Sequence, residues 1–125
     1  MKSPRDFQTW AYRVSHGELL IRSPKTSSET KNIDLIFVGV EYMSLPRFFS
    51  GIEVVEPSDE ERRQVTRTLG ERQPGQVYVL LSEGRRHLIC AGFFKVMETD
   101  LDLFETPFVG LKISYNSDVI DKKKN

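Results

Sequence analysis

The chain has 125 residues, 38% of them hydrophobic and 29% charged, which are proportions typical of a folded domain. Eighteen basic residues balance eighteen acidic ones, so the formal net charge is zero. Proteins that bind nucleic acid usually carry a basic excess, so nucleic acid is not the expected partner. A single cysteine excludes an intramolecular disulfide, and no apolar run approaches the roughly 20 residues of a membrane span. The first residues lack the apolar core of a signal peptide, which favours a cytoplasmic protein without membrane association.

The first third of the chain carries the alternating pattern of β-structure. Large side chains recur at every second position after Trp10, which predicts a half-buried strand over residues 7–14. A turn over 15–18 leads to a second apolar stretch at 19–22. The two strands form a predicted hairpin.

The next segment is polar over residues 23–32 and predicts a loop. Residues 33–45 follow, and they are apolar on both alternating faces. We therefore expect a strand covered on both sides, with Gly39 as a candidate bulge and an end at Pro46. A short strand is predicted over 52–55.

One helix is predicted after this strand. Ser58 is a candidate N-cap, and Glu61 stands three residues later at the spacing of a capping box. The helix should end near Leu69 because Gly70 follows. Its apolar face is narrow, consisting of Val65 and Leu69, so we expect a surface helix.

The remaining strands are predicted at 77–81, 88–97 and 111–115, and the first two should form a hairpin at the centre of the core. We see no linker, so residues 1–115 are predicted to be one β-rich domain and residues 116–125 a flexible tail.

The predicted fold class is α+β and β-rich. The order of elements suggests an antiparallel sheet of about seven strands, strongly curved or closed into a small barrel, with one surface helix.

Arginines are concentrated between positions 62 and 86 and form a candidate surface for a protein partner or for phosphate. Acidic residues one turn earlier in the helix favour a competing interpretation, an ion-paired surface. The candidate binding residues are Arg63, Arg67, Arg85 and Arg86.

An acidic run over residues 98–105 is a second candidate site. In an extended chain Glu98, Asp100 and Asp102 share one face, and alternating carboxylates can hold a hard cation or perform acid–base chemistry. The spacing does not match an EF-hand loop, so a solvated acidic face is the favoured interpretation.

Signatures of catalysis and of cofactor binding are not evident. His87 and Cys90 are three positions apart on a predicted strand and point to opposite faces, so neither can activate the other. No phosphate-binding glycine loop, zinc motif or nucleophile motif is present in the sequence. We therefore expect no cofactor, and the sequence favours a protein that is not an enzyme.

Three hypotheses of function follow. The first is a module that binds another protein, because acidic and basic segments are separated along the chain. The second is a β-barrel that holds a small ligand in an aromatic cavity. The third is an enzyme or metal-binding protein that uses residues 98–105. An enclosed aromatic cavity would favour the second hypothesis, and a filled core would favour the first.

Overall fold

The computed structural model describes residues 1–70 and 75–108. Within these ranges the chain forms eight strands, one α-helix and a short 3₁₀ helix at Val14–His16. The strands and the helix are β1 Lys2–Arg13, β2 Glu18–Ser23, β3 Asn32–Val38, β4 Tyr42–Met43, β5 Phe48–Val55, α1 Asp59–Leu69, β6 Gln76–Ser82, β7 Arg85–Ala91 and β8 Phe93–Thr99.

All eight strands belong to one antiparallel sheet in the order β4-β7-β6-β5-β1-β2-β3-β8. The sheet is not closed, because β4 and β8 stand at its two edges. The β-rich class, the antiparallel pairing and the single helix are as the sequence predicts. Within the described ranges, no helix has the length and apolar character needed to cross a membrane.

Two long predicted strands are each divided at a glycine. The strand expected over 33–45 ends at Val38, and Gly39 has a φ of 70°, which favours glycine over other residues. The strand expected over 88–97 is divided at Gly92, whose amide donates to the carbonyl of Val38 at 3.0 Å. Six of the seven predicted strands lie in the described ranges, and the two divisions turn these six into eight.

The sheet is buried on both faces. The inner cluster joins side chains from six strands, and its members include Ile21, Leu35, Leu80 and Ile89, all inaccessible to solvent. An outer cluster joins side chains of β2, β3 and β8 with Phe108, and Ile36 is one of its fully buried members. The predicted covering of β3 on both sides is therefore confirmed, because its alternate residues enter both clusters.

The helix packs on the outer face of β6 and β7. Ser58 caps it through the predicted capping box with Glu61, and Gly70 follows its last residue. Val65 is fully buried against these strands and Leu69 is partly buried. The narrow apolar face predicted from the sequence is the face that contacts the sheet.

The β6–β7 hairpin closes with a two-residue turn in which both Glu83 and Gly84 have positive φ angles, of 51° and 74°. This backbone matches the twist of paired strands. The strand predicted over 111–115 and the tail at 116–125 lie outside the described residues.

Candidate functional site

A β-bulge places Trp10 on the outer face of the sheet. Thr9 pairs with Ile21 and Ala11 pairs with Leu20, so Trp10 is the extra residue in β1. A bulge bends its strand and redirects a side chain. Trp10 consequently packs beside the outer cluster.

An ion pair buried in the sheet lies beside Trp10. Arg22 and Asp34 are opposite each other on β2 and β3, and their side chains are 1% and 0% exposed. Arg22 Nε and Nη2 donate to the two carboxylate oxygens at 2.7 and 3.0 Å, and its guanidinium carbon lies 5.5 Å from the centroid of the Trp10 ring. Two parallel bonds of this kind fix both side chains in one orientation.

The same ion pair holds the segment that follows β8, residues 100–108, which we call the covering segment. Arg22 Nη1 donates to the carbonyl of Glu105 at 2.8 Å, and Asn32 donates to the carbonyl of Leu101 at 3.0 Å. Phe108 is buried in the outer cluster. The covering segment is thus attached to the sheet at both ends and near its middle.

A groove of about 490 Å³, open to solvent, lies between Trp10 and the covering segment. We call it the aromatic groove, and its lining residues are Gln8, Thr9, Trp10, Ala11, Arg47, Leu103, Phe104 and Thr106.

Large apolar side chains are exposed around this groove. Phe104 is 93% exposed and Leu103 is 54% exposed. On the opposite wall the guanidinium of Arg47 lies 5.0 Å from the centroid of the Phe48 ring, itself 61% exposed. Aromatic and arginine side chains grouped in this way are typical of interface centres.

The wall that carries Arg47 is fixed to β1. The amide of Thr9 donates to the carbonyl of Arg47 at 2.8 Å, and the Thr9 hydroxyl donates to the carbonyl of Pro46 at 2.9 Å. The backbone of this wall is therefore held in place beside the groove floor.

The structure does not bring the four predicted binding arginines into one free patch. Arg63 and Arg67 each bond Glu60 at 3.0 Å, and these hydrogen bonds, from Arg67 first, lower the pKa of the Glu60 carboxyl. Arg86 bonds Glu61 at 2.9 Å and so fastens α1 to β7. Their role in binding a partner stays a prediction.

Arg85 differs from these three arginines because it has no ion-pair partner in residues 1–70 and 75–108. It lines a shallow depression beside Phe48 and His87. Partial burial and the charge of Arg85 lower the pKa of His87. The carboxylate of Glu83 lines the same depression, which shares no lining residue with the aromatic groove.

The link between Glu61 and Arg86 predicts a pH-dependent stability. Hydrogen bonds from Arg86 and from the Ser58 backbone lower the pKa of Glu61 to about 2, below its ordinary value of 4.5. The ionised carboxylate thus stabilises the folded state above pH 4.5, and this stabilisation is lost as the pH falls towards 2.

We expect Glu61→Gln to lower the urea midpoint at pH 7, and the difference from wild type to shrink steadily as the pH falls from about 5 to about 2. Glu60→Gln is the matched control: the pKa of Glu60 is also lowered, but its ion pairs within the described chain are exposed and all with residues of its own helix, so this variant should lower the midpoint less than Glu61→Gln does. A difference that is the same at neutral and at strongly acidic pH would show that the Glu61 charge does not support helix docking.

The acidic run is divided between several contacts. Asp100 lies 3.7 Å from the ammonium of Lys31, and Asp102 lies 3.7 Å from that of Lys25. Glu98 lies on β8, opposite Ile33 of β3. Among the residues that the structure describes, no group of three or more His, Cys, Asp or Glu side chains is arranged to hold a metal ion. Metal binding by Glu98, Asp100 and Asp102 remains an untested prediction.

His87 and Cys90 lie on different faces of β7. Cys90 is buried beneath α1, where burial raises the pKa of its thiol. The ring of His87 instead packs edge to face on Phe49, with centroids 5.7 Å apart. The pair is not arranged as a nucleophile and base.

The aromatic groove is not predicted from the sequence. Alternation predicts only a half-buried strand around Trp10, and Leu103 and Phe104 lie in a segment without a clear pattern. The bulge depends on the pairing of β1 with β2, which a single sequence does not specify. The sequence signal that could have indicated the groove is the adjacent apolar pair Leu103 and Phe104 within the acidic run.

Comparison of the chain with protein families, curated proteins and solved structures finds no match.

Proposed function

We propose that this protein is a non-enzymatic protein-interaction module, and that the aromatic groove binds an apolar segment of a partner protein. The observation that carries the proposal is the exposed apolar surface of one groove: its lining residues Leu103 and Phe104 are each more than half exposed, and the exposed Phe48 is next to Arg47 of its wall. Contiguous apolar surface on a folded domain commonly marks an interaction site.

The position of the groove also supports binding. Its floor is Trp10, held between the outer cluster and the guanidinium of Arg22, and its walls are tied to the sheet by hydrogen bonds. A site whose backbone is held in place before binding loses less conformational entropy when a partner arrives. This arrangement favours a fixed interface over a loop that orders on binding.

The filled interior favours a protein partner over an enclosed small ligand. The inner cluster consists of Leu, Ile, Phe and Ala side chains packed together, and the concavities found in the described ranges open to solvent. A ligand carrier would instead bury its ligand within the sheet.

Two finer features belong to this proposal. We infer that the sheet is strongly curved, because the inner cluster contains side chains of β2 and β3 together with those of β6 and β7, which are not neighbours in the sheet. We also place the protein in the cytoplasm, and its single cysteine, free and buried, is consistent with a reducing compartment.

The test compares partners captured by the full chain and by three variants. Phe104→Ser removes an exposed groove residue, and Val14→Ser removes an apolar residue, 81% exposed, that does not line the groove. Arg63→Glu with Arg67→Glu changes the charge of the helix. We expect one protein to be captured by wild type, Val14→Ser and the helix variant, and to be lost with Phe104→Ser.

Affinity for the captured protein, once purified, should fall at least about tenfold in Phe104→Ser and change little in Val14→Ser, as for a residue near the centre of an interface. Loss in the helix variant alone would assign the interface to the arginines and overturn the groove proposal. Self-association of wild type in sedimentation, abolished by Phe104→Ser, would make a second copy the occupant and also overturn it. A capture pattern unaffected by Phe104→Ser would do the same.

A further inference from the structure

We infer that the segment bound by the aromatic groove carries a carboxylate beside its apolar residues, and that this carboxylate pairs with Arg47. The inference rests on the proposed function and specifies the chemistry of the partner.

Arg47 is the one charged side chain among the described residues that line the groove. Its guanidinium stacks on Phe48 and has no ion-pair partner in the part of the chain that the structure describes. The other seven lining residues are apolar or neutral. The groove therefore combines an apolar floor with a single, unneutralised positive charge on one wall.

The acidic side chains of the covering segment make contacts outside the groove and do not pair with Arg47. Asp102 faces Lys25, and its backbone amide donates to the Glu105 carboxylate at 2.9 Å. Neither carboxylate lines the groove. Arg47 is thus left without a counter-charge from this segment when the groove is filled.

Binding of an apolar segment would remove water from Arg47. A guanidinium that loses its hydration without gaining an anion makes the complex unfavourable. A carboxylate on the partner offsets this loss of hydration, because its two oxygens can accept two parallel hydrogen bonds from the guanidinium. Phosphate is less suited, since phosphopeptides are usually held by clusters of arginines and this groove has one.

Neutral polar side chains that line the groove can form hydrogen bonds with the backbone of such a segment. The side chains of Gln8 and Thr106 make no hydrogen bond to another described residue, and both line the groove. An amide and a hydroxyl supply both donors and acceptors for peptide groups. The expected occupant is therefore an apolar peptide segment with one adjacent Asp or Glu.

A phage-displayed library of random peptides, each about 12 residues long and so long enough to cross the groove in extended form, provides the probe. Selection on the wild-type chain should enrich peptides in which one Asp or Glu stands at a fixed distance from an apolar pair. Selection on Arg47→Glu should enrich Lys or Arg at that position instead. Arg63→Glu is the matched control because Arg63 lies on α1 and already pairs with Glu60. It should enrich the same peptides as wild type.

A synthetic peptide from the wild-type selection should bind Arg47→Glu about tenfold more weakly, and changing its acidic residue to Lys should recover the loss. If the enriched peptides require Phe104 but show no acidic position, the carboxylate inference is wrong while the proposed groove stands. If no enriched peptide is lost with Phe104→Ser, both are wrong. Unchanged peptides on Arg47→Glu would also overturn the pairing with Arg47.

Discussion

Arg22→Met should destabilise the folded protein by about 3–5 kcal/mol, because it leaves the Asp34 carboxylate buried without its counter-charge. Methionine has a similar length and keeps most of the packing. Asp34 would retain a side-chain hydrogen bond from Thr99 at 3.1 Å. Asp34→Leu should cost a similar amount, because it leaves the Arg22 guanidinium buried and unpaired.

The double variant Arg22→Met with Asp34→Leu distinguishes a coupled pair from two independent packing losses. Replacing both charges by apolar groups removes the need to desolvate either, so the double variant should be more stable than each single variant. Urea unfolding of the four proteins at neutral pH gives the coupling free energy. Single-variant losses below about 1 kcal/mol, or losses that simply add, would show that the two charges are not paired in the core.

The same ion pair connects stability with the proposed site. Arg22 donates to the carbonyl of Glu105 and stacks on Trp10, so its loss releases the covering segment and one face of the groove floor. Proteolytic cleavage within residues 100–108 should therefore become faster in Arg22→Met than in wild type. Faster cleavage would show that the pair maintains the groove as well as the core.

The sequence predicts individual helices and hairpins better than it predicts which strands pair in the sheet. The helix and its cap are predictable because Ser58 and Glu61 carry a short-range signal, and the β6–β7 hairpin is predictable from two apolar runs around Gly84. Such signals depend on neighbours in the chain. At Gly39 the sequence predicts a bulge and not the end of a strand, and the division at Gly92 is not predicted, because apolar residues continue on both sides of each glycine.

Side-chain networks depend on register between strands, which a single sequence leaves open. Arg22 and Asp34 are twelve positions apart, and each alone resembles a polar residue on a strand that is otherwise apolar. Only the pairing of β2 with β3 sets them opposite each other. The aromatic groove depends on two further long-range events, the bulge at Trp10 and the attachment of the covering segment. The number of arginines in the sequence instead favours the helix as the binding site, although Arg63 and Arg67 are both paired with Glu60 of the same helix.

The second large effect is expected in the β6–β7 hairpin. Leu80→Ala and Ile89→Ala should each cost about 2–5 kcal/mol, because both side chains are inaccessible to solvent and lie in the inner cluster. Typical domains have total stabilities of about 5–15 kcal/mol, so either loss is a large fraction of the whole.

Leu81→Ala is the matched control for these core variants, since Leu81 is the next residue on the same strand and is only partly buried. The same chemical change should cost about 1 kcal/mol or less there, because less apolar surface is returned to water. Ile89→Val, expected to cost about 0.5–1.5 kcal/mol, keeps the measurement possible if the alanine variants do not fold. Denaturant midpoints that fall equally in Leu80→Ala and Leu81→Ala would contradict the inner cluster. A loss confined to Leu80 and Ile89 would establish that β6 and β7 turn these faces into the core, because the same truncation at the adjacent Leu81 would leave stability nearly unchanged.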